Sequence, residues 1–186
     1  MNIQYIEKNI DMEIEYHEVI YSTSERAKEI ANENLKRTKI IIAENQTRGR
    51  GTSGRVWYSN HGENILMTLI FYPQNSILGL QNITYKIAEM IQVAINELYD
   101  ISLDIKLPND LMLNEKKICG ILTESSIQGD KINYLLIGIG FNVNQINFPE
   151  EIRDIATSLK REIPEMVLNR EEIIVKVINN IKSLIK

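Results

Sequence analysis

Residues 44–57 have the sequence Glu44-Asn45-Gln46-Thr47-Arg48-Gly49-Arg50-Gly51-Thr52-Ser53-Gly54-Arg55-Val56-Trp57. Three glycines and three arginines fall within eight consecutive residues of this stretch. Apolar runs at residues 40–43 and 65–71 precede and follow it, which predicts a strand, a cationic loop and a second strand. Glycines let backbone N–H groups approach a ligand closely, and arginines add fixed charge with planar donors. The loop therefore suits an anionic ligand such as a phosphate or a carboxylate.

A solvated turn is the alternative interpretation of this loop. Its spacing matches neither the G-x-x-x-x-G-K-[ST] pattern nor a G-x-G-x-x-G that opens a helix. Composition alone leaves both interpretations open.

The composition is that of an ordinary soluble globular domain. The chain has 186 residues, enough for one domain with a sizeable core, with 44% hydrophobic and 25% charged residues. No apolar run approaches the roughly 20 residues that a membrane span needs. The first eight residues lack the basic start and apolar core of a signal peptide, so we expect a cytoplasmic protein that does not bind membranes. The net charge of −4 argues against broad nucleic-acid binding.

Cysteine and histidine usage restricts the chemistry further. The single cysteine, Cys119, excludes an internal disulfide and any multi-cysteine metal site. It lies in an apolar run, which favours a small buried residue over a nucleophile. His17 and His61 are too few and too far apart to predict a metal cluster or a catalytic triad.

The hydrophobic pattern predicts alternating strands and helices. Residues 14–21 form a predicted strand, and a capping box with Ser22 as N-cap and Glu25 three residues later starts a helix that runs to about Lys36. The junction offers hydroxyls and free N–H groups, so Ser22 and Thr23 serve either as caps alone or as contacts to a polar ligand. Further strands are predicted at residues 38–44, 64–72, 103–106, 110–113, 117–125 and 132–141, with hairpin turns at residues 114–116 and 128–130.

Helices are predicted at residues 81–98, as a short segment within 149–159, and from the N-cap Asn169 through Ile185. Gly138 and Gly140 alternate along the last strand and remove the side chains from one face, where a ligand or another backbone could lie flat. Together the elements predict an α+β fold with a central mixed, mostly antiparallel sheet flanked by helices.

Four segments, taken in order, resemble motifs of the biotin protein ligase family. Residues 44–57 resemble its Q-x-x-G-R-G-R-x-G-R-x-W loop, and residues 21–24 resemble a weaker S-T-N motif. Residues 106–110 and 116–124 resemble K-W-P-N-D followed by K-x-x-G-I-L-x-E. Residues 138–144 resemble G-x-G-x-N-x-N. The resemblance covers nearly the whole chain from about Glu13 onward, and it implies the class II synthetase-like catalytic domain of biotin and lipoate ligases.

The resemblance implies a two-step reaction with ATP and biotin as substrates and Mg²⁺ for ATP. Biotin and ATP would form biotinyl-5′-AMP, and the biotinyl group would then pass to a lysine of a biotin carboxyl carrier domain. Because a carboxylate must attack an already anionic phosphate, cations are needed to reduce the repulsion. The water-labile intermediate also needs a loop that orders over it.

The resemblance also assigns site residues. Arg50 and Lys117 would stabilise charge, and Asp110 would position or deprotonate the incoming lysine, whose pKa is ordinarily about 10.4. Without the resemblance, Lys117 could be a solvated hairpin lysine and Asp110 a turn residue. The nucleotide side would comprise Arg50, Trp57, Lys106, Asn109 and Asn142, although Trp57 could equally be a core aromatic. The biotin side would comprise Ser22, Thr23, Ser24, Gln46, Gly49, Arg50, Gly51, Thr52 and Lys117, with Gly120, Gly138 and Gly140 as a flat wall.

The chain departs from the family pattern at several positions. Leu107 stands where tryptophan is usual, Ser24 replaces asparagine, and Thr52 and Ser53 replace a pair that is often basic. The weaker charge predicts faster loss of the adenylate.

We expect residues 1–186 to form a single catalytic domain, without the helix-turn-helix or small β-barrel domains of some relatives, and no DNA-binding role. A homodimer is possible on the family pattern. The alternatives are a lipoate ligase or octanoyltransferase of the same superfamily, and a non-catalytic module that binds biotin or a nucleotide.

Overall fold

A seven-stranded sheet with the order β1-β2-β3-β7-β6-β5-β4 forms the centre of the molecule. The computed structural model describes residues 1–33, 36–73, 82–129 and 131–184. Only β1 and β2 pair in parallel, and every other neighbouring pair is antiparallel. The strands are β1 (Glu13–Ile20), β2 (Lys39–Gln46), β3 (Ile65–Phe71), β4 (Asp104–Lys106), β5 (Asp110–Leu113), β6 (Lys116–Gln128) and β7 (Lys131–Phe141).

Helices cover both faces of this sheet. They are α1 (Ile3–Asn9), α2 (Thr23–Asn32), α3 (Ile83–Tyr99), α4 (Leu159–Glu162) and α5 (Arg170–Leu184), with a 3₁₀ turn at Thr52–Gly54. The mixed, mostly antiparallel α+β fold expected from the sequence is thus confirmed. None of the helices in the described ranges is both long and apolar enough to cross a membrane.

Alternation along the strands separates two apolar layers. Ile40 and Ile42 of β2 join the main core with α1, α3 and α5, whereas Ile41 joins a smaller cluster beneath α2. On its face of the sheet, helix α2 packs chiefly against β2, β3 and β7. The face of β6 and β7 beside α2 is left open, and this open area positions the site.

Several boundaries differ from those expected. Helix α2 ends at Asn32 rather than near Lys36, and α1 was not expected from the sequence. Asn169 accepts a hydrogen bond from the Glu172 N–H, as expected for the N-cap of α5. Gln81, Asp130 and Ile185, which fall in predicted elements, lie outside the described residues.

The short helix expected within residues 149–159 is wrong in position. Residues 150–155 form turns, and α4 begins only at Leu159. The cause is a backbone pairing with β6: the Lys117 N–H donates to Ile155 O at 2.8 Å, and the Thr157 N–H donates to Lys117 O at 2.9 Å. An extended backbone at residues 155–157 is needed for this bridge, and it is incompatible with a helix there.

Candidate active site

The glycine- and arginine-rich stretch folds as the end of β2 followed by a tight, ordered hairpin. The Gly51 N–H donates to Arg55 O at 2.7 Å, and the Trp57 N–H donates to Gly49 O at 3.0 Å. A Cβ on Gly49 would lie 2.6 Å from Trp57 O, so only glycine permits this approach. Gly54 closes the tip of the hairpin with a φ of 74°. The loop is therefore a defined hairpin, which we call the lid hairpin (residues 47–57).

Three glycines form a bare patch on the open sheet face. Gly120 of β6 lies opposite Gly140 of β7, and Gly138 lies between Thr68 of β3 and Leu122 of β6. The alternation expected for Gly138 and Gly140 therefore does place both on one face, as proposed for a flat wall.

The indole of Trp57 lies directly on this glycine patch. A Cβ on Gly140 would be 2.5 Å from Cε2 of Trp57, and one on Gly120 would be 2.8 Å from Cζ3. The Lys117 ammonium lies 5.5 Å from the centroid of the Trp57 ring, within the range of a cation–π contact. The indole Nε1 is buried and has no hydrogen-bond partner among the described residues. Because buried polar groups are normally paired, this N–H is a donor available to an acceptor that enters the site.

Two clefts meet at Trp57 and Lys117, and both also contact Gly51 and Thr52 of the lid hairpin. The first cleft is further lined by Thr23, Ser24, Gln46, Arg50, Met67, Asn109, Gly120, Ile121, Leu122, Gly138, Ile139 and Gly140. The second cleft is further lined by Arg55, Val56, Tyr58, Asn142, Phe148, Ile152, Ile155 and Ala156.

A chain of buried polar side chains forms one end of the first cleft. The Thr23 backbone N–H and hydroxyl lie 2.7 and 3.0 Å from Gln46 Oε1. The Thr68 hydroxyl is 2.9 Å from that of Thr23 and 3.2 Å from that of Ser24. Thr68 was missed from the sequence, although a fully buried polar residue in an apolar strand is itself a signal.

Acidic partners hold both cations that were expected to stabilise charge. Lys117 Nζ lies 2.6 Å from Asp110 Oδ1. Arg50 forms an ion pair with Glu25 in the first turn of α2, and its Nη2 lies 4.0 Å from Glu124 of β6. The sequence identifies Glu25 as a capping-box residue and Glu124 as the end of a motif, but it predicts no contact of either with Arg50, which emerges only from the fold.

The remaining expected site residues divide between the clefts and the scaffold. Asn109 lines the first cleft and donates to Ile121 O, and Asn142 lines the second and donates to Thr157 O. The Asn142 Oδ1 is buried without a partner among the described residues. Ser22, Gly49 and Lys106 line neither cleft: Ser22 caps α2, Gly49 supports the lid hairpin, and Lys106 is exposed on β4.

Cys119 behaves as a packed apolar residue. It is fully buried in the main core, and this burial raises the pKa of its thiol well above the ordinary value. Because the thiolate is the nucleophilic form, Cys119 does not act as a nucleophile. Within the described residues, no group of three or more His, Cys, Asp or Glu side chains could hold a metal ion.

The sequence of this chain resembles those of known proteins of one family. A model of the biotin/lipoate A/B protein ligase family matches residues 16–142. The chain belongs to this family. It is 41% identical over 154 residues to the bifunctional ligase/repressor BirA of Bacillus subtilis. The matched region covers 82% of this chain and 47% of that protein. It is 35% identical over 157 residues to the human biotin–protein ligase. Here the matched region covers 79% of this chain and 21% of that protein.

A solved relative shares the fold closely. The biotin protein ligase of Aquifex aeolicus in complex with biotin and ATP superposes with a TM-score of 0.76 at 31% identity, covering 93% of this chain and 70% of that one. The resemblance to biotin protein ligases inferred from the motifs is thereby confirmed. The chain spans about half the length of the Bacillus relative.

Proposed function

We propose that this chain is a biotin protein ligase, which activates biotin with ATP as biotinyl-5′-AMP and transfers the biotinyl group to a lysine of a biotin carboxyl carrier domain. The Aquifex relative, solved with biotin and ATP, supports this choice of substrates. The observation that carries the proposal is the meeting of two chemically different clefts at a lysine.

The two clefts suit the two halves of an acyl-adenylate. The first has a polar end of hydroxyls and an amide together with a glycine wall, which fits a flat, polar ring in the place that the Trp57 indole takes here. The second is lined by Val56, Phe148 and Ile152, and its apolar surface fits a nucleobase. Lys117 lies between them and fits the acyl-phosphate.

In the first step, a carboxylate oxygen of biotin forms a bond to the α-phosphorus of ATP while the bond to pyrophosphate breaks. Both reactants are anions, so Lys117 and Arg50 lower the barrier by balancing the charge that gathers between them. Their present partners, Asp110 and Glu25, occupy these cations until the substrates arrive.

Exchanging the partner of Arg50 costs little. The side chains of Arg50 and Glu25 are 41% and 38% exposed, and ion pairs at such exposure contribute at most about 1 kcal/mol. A substrate carboxylate or phosphate can therefore replace Glu25 without a large penalty.

In the second step, the amine of the carrier lysine attacks the acyl carbon, and AMP leaves. The amine must first lose a proton. When Lys117 turns to the phosphate, the carboxylate of Asp110 is released from its ion pair and becomes available to accept that proton. The pairing of Asp110 with Lys117 thus links the proton acceptor of the transfer step to the cation that stabilises the adenylation step.

Mg²⁺ enters this proposal as part of the nucleotide substrate. The described residues contain no cluster of three metal-binding side chains, so Mg²⁺ would be held chiefly by the phosphates. No step is assigned to a protein-bound metal.

The test is pyrophosphate release by the purified chain with ATP and Mg²⁺, given biotin or lipoate, with and without a carrier domain. We expect release with biotin only, and biotinylation of the carrier seen by mass spectrometry. Release with lipoate only would identify a lipoate ligase instead. Binding of biotin without any release would identify a non-catalytic module.

A further inference from the structure

We propose that Thr68 is a positioning residue that relays the direction of the hydrogen bonds from Thr23 to Ser24 at the polar end of the first cleft, so that Ser24, like Thr23, accepts a hydrogen bond from the ligand and does not donate one. This inference rests on the proposed function, because the ligand is taken to be the ureido ring of biotin. Thr68 is fully buried on β3, between Ile41 of β2 and Gly138 of β7.

The direction is set by a backbone group. The Thr23 N–H can only donate, and it lies 2.7 Å from one oxygen or nitrogen of the Gln46 amide. That atom must therefore be the amide oxygen, Oε1. The Thr23 hydroxyl is 3.0 Å from the same Oε1, so the hydroxyl must also donate to it.

Each hydroxyl hydrogen along this series of hydrogen bonds is then assigned to one acceptor in turn. Because the hydrogen of Thr23 is used on Gln46, Thr68 must donate across the 2.9 Å contact to Thr23. Because the hydrogen of Thr68 is now used, Ser24 must donate across the 3.2 Å contact to Thr68. All the hydroxyl hydrogens therefore run in one direction, from Ser24 to Thr68 to Thr23 to Gln46.

What remains for a ligand is a fixed pattern of donors and acceptors. Thr23 and Ser24 line the first cleft and keep only oxygen lone pairs. Both lone-pair positions of Gln46 Oε1 are filled, and its Nε2 group makes no hydrogen bond to the described part of the chain. The cleft thus offers acceptors beside a donor, which complements the N–H and C=O groups of a cyclic urea. The dithiolane ring of lipoate has no N–H to offer.

Gly138 makes the contact between Ser24 and Thr68 possible. A Cβ at Gly138 would lie only 2.9 Å from Ser24 Oγ, so a larger residue would push the hydroxyl away from Thr68. Ser24 stands where the family pattern has asparagine, and in this chain its hydroxyl lies 3.2 Å from that of Thr68.

The decisive variant is Thr68→Val, which keeps the shape of the side chain but removes the hydroxyl. The hydrogen of Ser24 is then free to point into the cleft as a donor. We expect the dissociation constant for biotin, measured by calorimetry, to rise about tenfold, the scale of one mispaired buried group. Thr68→Ser should restore binding to within about threefold of wild type. Thr84→Val removes a similar hydroxyl contact, to Thr123, away from both clefts and should leave biotin binding unchanged.

Binding of a second ligand distinguishes a change in the direction of the Ser24 hydrogen bond from a general structural defect. In two isomeric biotin analogues, one ureido N–H is replaced by an oxygen atom, so that an acceptor meets the acceptors of the cleft. Wild type should bind the isomer whose oxygen faces Ser24 about 100-fold or more weaker than biotin. In Thr68→Val the freed hydrogen of Ser24 can pair with that oxygen, so this ratio should fall about tenfold. A structural defect alone would weaken both ligands equally and leave the ratio unchanged.

The outcomes separate the inference from the function on which it rests. Binding and activation of biotin by wild type, with the same discrimination ratio in Thr68→Val, would overturn the inference alone. A wild-type chain that neither binds nor activates biotin would overturn both. If Thr68→Val fails to fold in a thermal melt, Ser24→Ala supplies the same test, because it removes the acceptor that disfavours the analogue. An unchanged ratio in Ser24→Ala would equally overturn the inference.

Discussion

Lys117 is held at its backbone as well as at its side chain. Its N–H and C=O pair with Ile155 and Thr157, and its ammonium lies between Asp110 and the face of Trp57. Since the backbone of Lys117 is already held beside both clefts, only its side chain has to turn from Asp110 to reach the acyl-phosphate, and this placement favours electrostatic stabilisation there.

Loss of either cation should slow adenylate formation. We expect Lys117→Ala and Arg50→Ala each to raise the barrier by at least about 2 kcal/mol, a decrease of about 30-fold in the rate of pyrophosphate release. Lys116→Ala is the control for the lysine. Arg26→Ala is the control for the arginine, because Arg26 is also ion-paired to two glutamates but lines neither cleft. Rates near wild type for both Lys117→Ala and Arg50→Ala would remove them from the charge-stabilising role.

Asp110→Asn should separate the two steps. The amide cannot accept the proton of the carrier lysine, so we expect transfer to the carrier to fall about 100-fold, while pyrophosphate release falls less. Rapid-quench measurement with preformed adenylate isolates the transfer step. Equal losses in both steps would show that Asp110 acts only by holding Lys117.

At the scale of single residues, the sequence predicted which side chains line the first cleft better than it predicted their contacts. Arg50, Lys117 and Gln46 were found because their motifs are local, and all three line the first cleft. Thr68 and Glu25 were missed because each acts through a residue distant in sequence. Lys106 lies in a matching motif but is exposed outside both clefts, since motif identity does not fix the direction of a side chain.

We expect ligand retention to depend on the lid hairpin. Its tip carries Thr52 where related loops are often basic, and the hydroxyl of Thr52 accepts a hydrogen bond from Arg55 at 3.0 Å. We expect wild type to lose adenylate faster than a Thr52→Arg variant, because the added charge would attract the phosphate. Rapid gel filtration followed by measurement of the retained adenylate tests this. Equal retention by the two proteins would contradict it.

Trp57 gives the lid hairpin a built-in reporter, because it is the only tryptophan in the chain. A ring bound against the glycine patch would have to displace the indole. We therefore expect the emission of Trp57 to change and saturate as biotin is added, with a midpoint that agrees with calorimetry. Unchanged emission at biotin concentrations where calorimetry shows full binding would mean that the ligand lies elsewhere.

Elements were predictable where one local pattern dominates. The strands on either side of the lid hairpin and the hairpin turn at residues 114–116 appear as expected, since apolar alternation and turn residues are local signals. Residues 149–159 were assigned wrongly because their backbone pairs with Lys117, more than 30 residues earlier in the chain. A pairing of that range overrides a weak helical preference.

On the scale of the whole molecule, one buried ion pair joins the sheet to the last helix. Glu44 of β2 is 3% exposed and accepts hydrogen bonds from Arg170 of α5 at 2.6 and 3.2 Å. Burial alone would raise the pKa of Glu44, but the hydrogen bonds from Arg170 and the Met1 amino group outweigh it and lower this pKa below its usual range. Glu44 is the first residue of the stretch that leads into the lid hairpin, so this pair anchors the lid to the core.

This pair should make the fold sensitive to acid. Because the folded pKa of Glu44 is lowered, its stabilisation is present above the ordinary glutamate pKa of about 4.3 and is lost as the pH falls through the lowered value. We expect Glu44→Gln to reduce the free energy of unfolding by about 3 kcal/mol at pH 7, since it leaves Arg170 without its counter-charge. Denaturant melts should show this difference shrinking below about pH 4. The exposed Glu7→Gln should differ little from wild type at any pH, and a Glu44→Gln difference independent of pH would contradict the prediction.

The position of the Trp57 indole on the glycine patch also affects the affinity for the ligand and the rate at which the ligand binds. Only the fraction of molecules with Trp57 withdrawn can admit a ring, so the apparent affinity is the intrinsic affinity reduced by that fraction. If one molecule in about ten is open, the apparent dissociation constant is about tenfold weaker than the intrinsic one. When withdrawal precedes binding, the observed association rate levels off at high ligand concentration, because the opening of the indole and not the encounter then sets the pace.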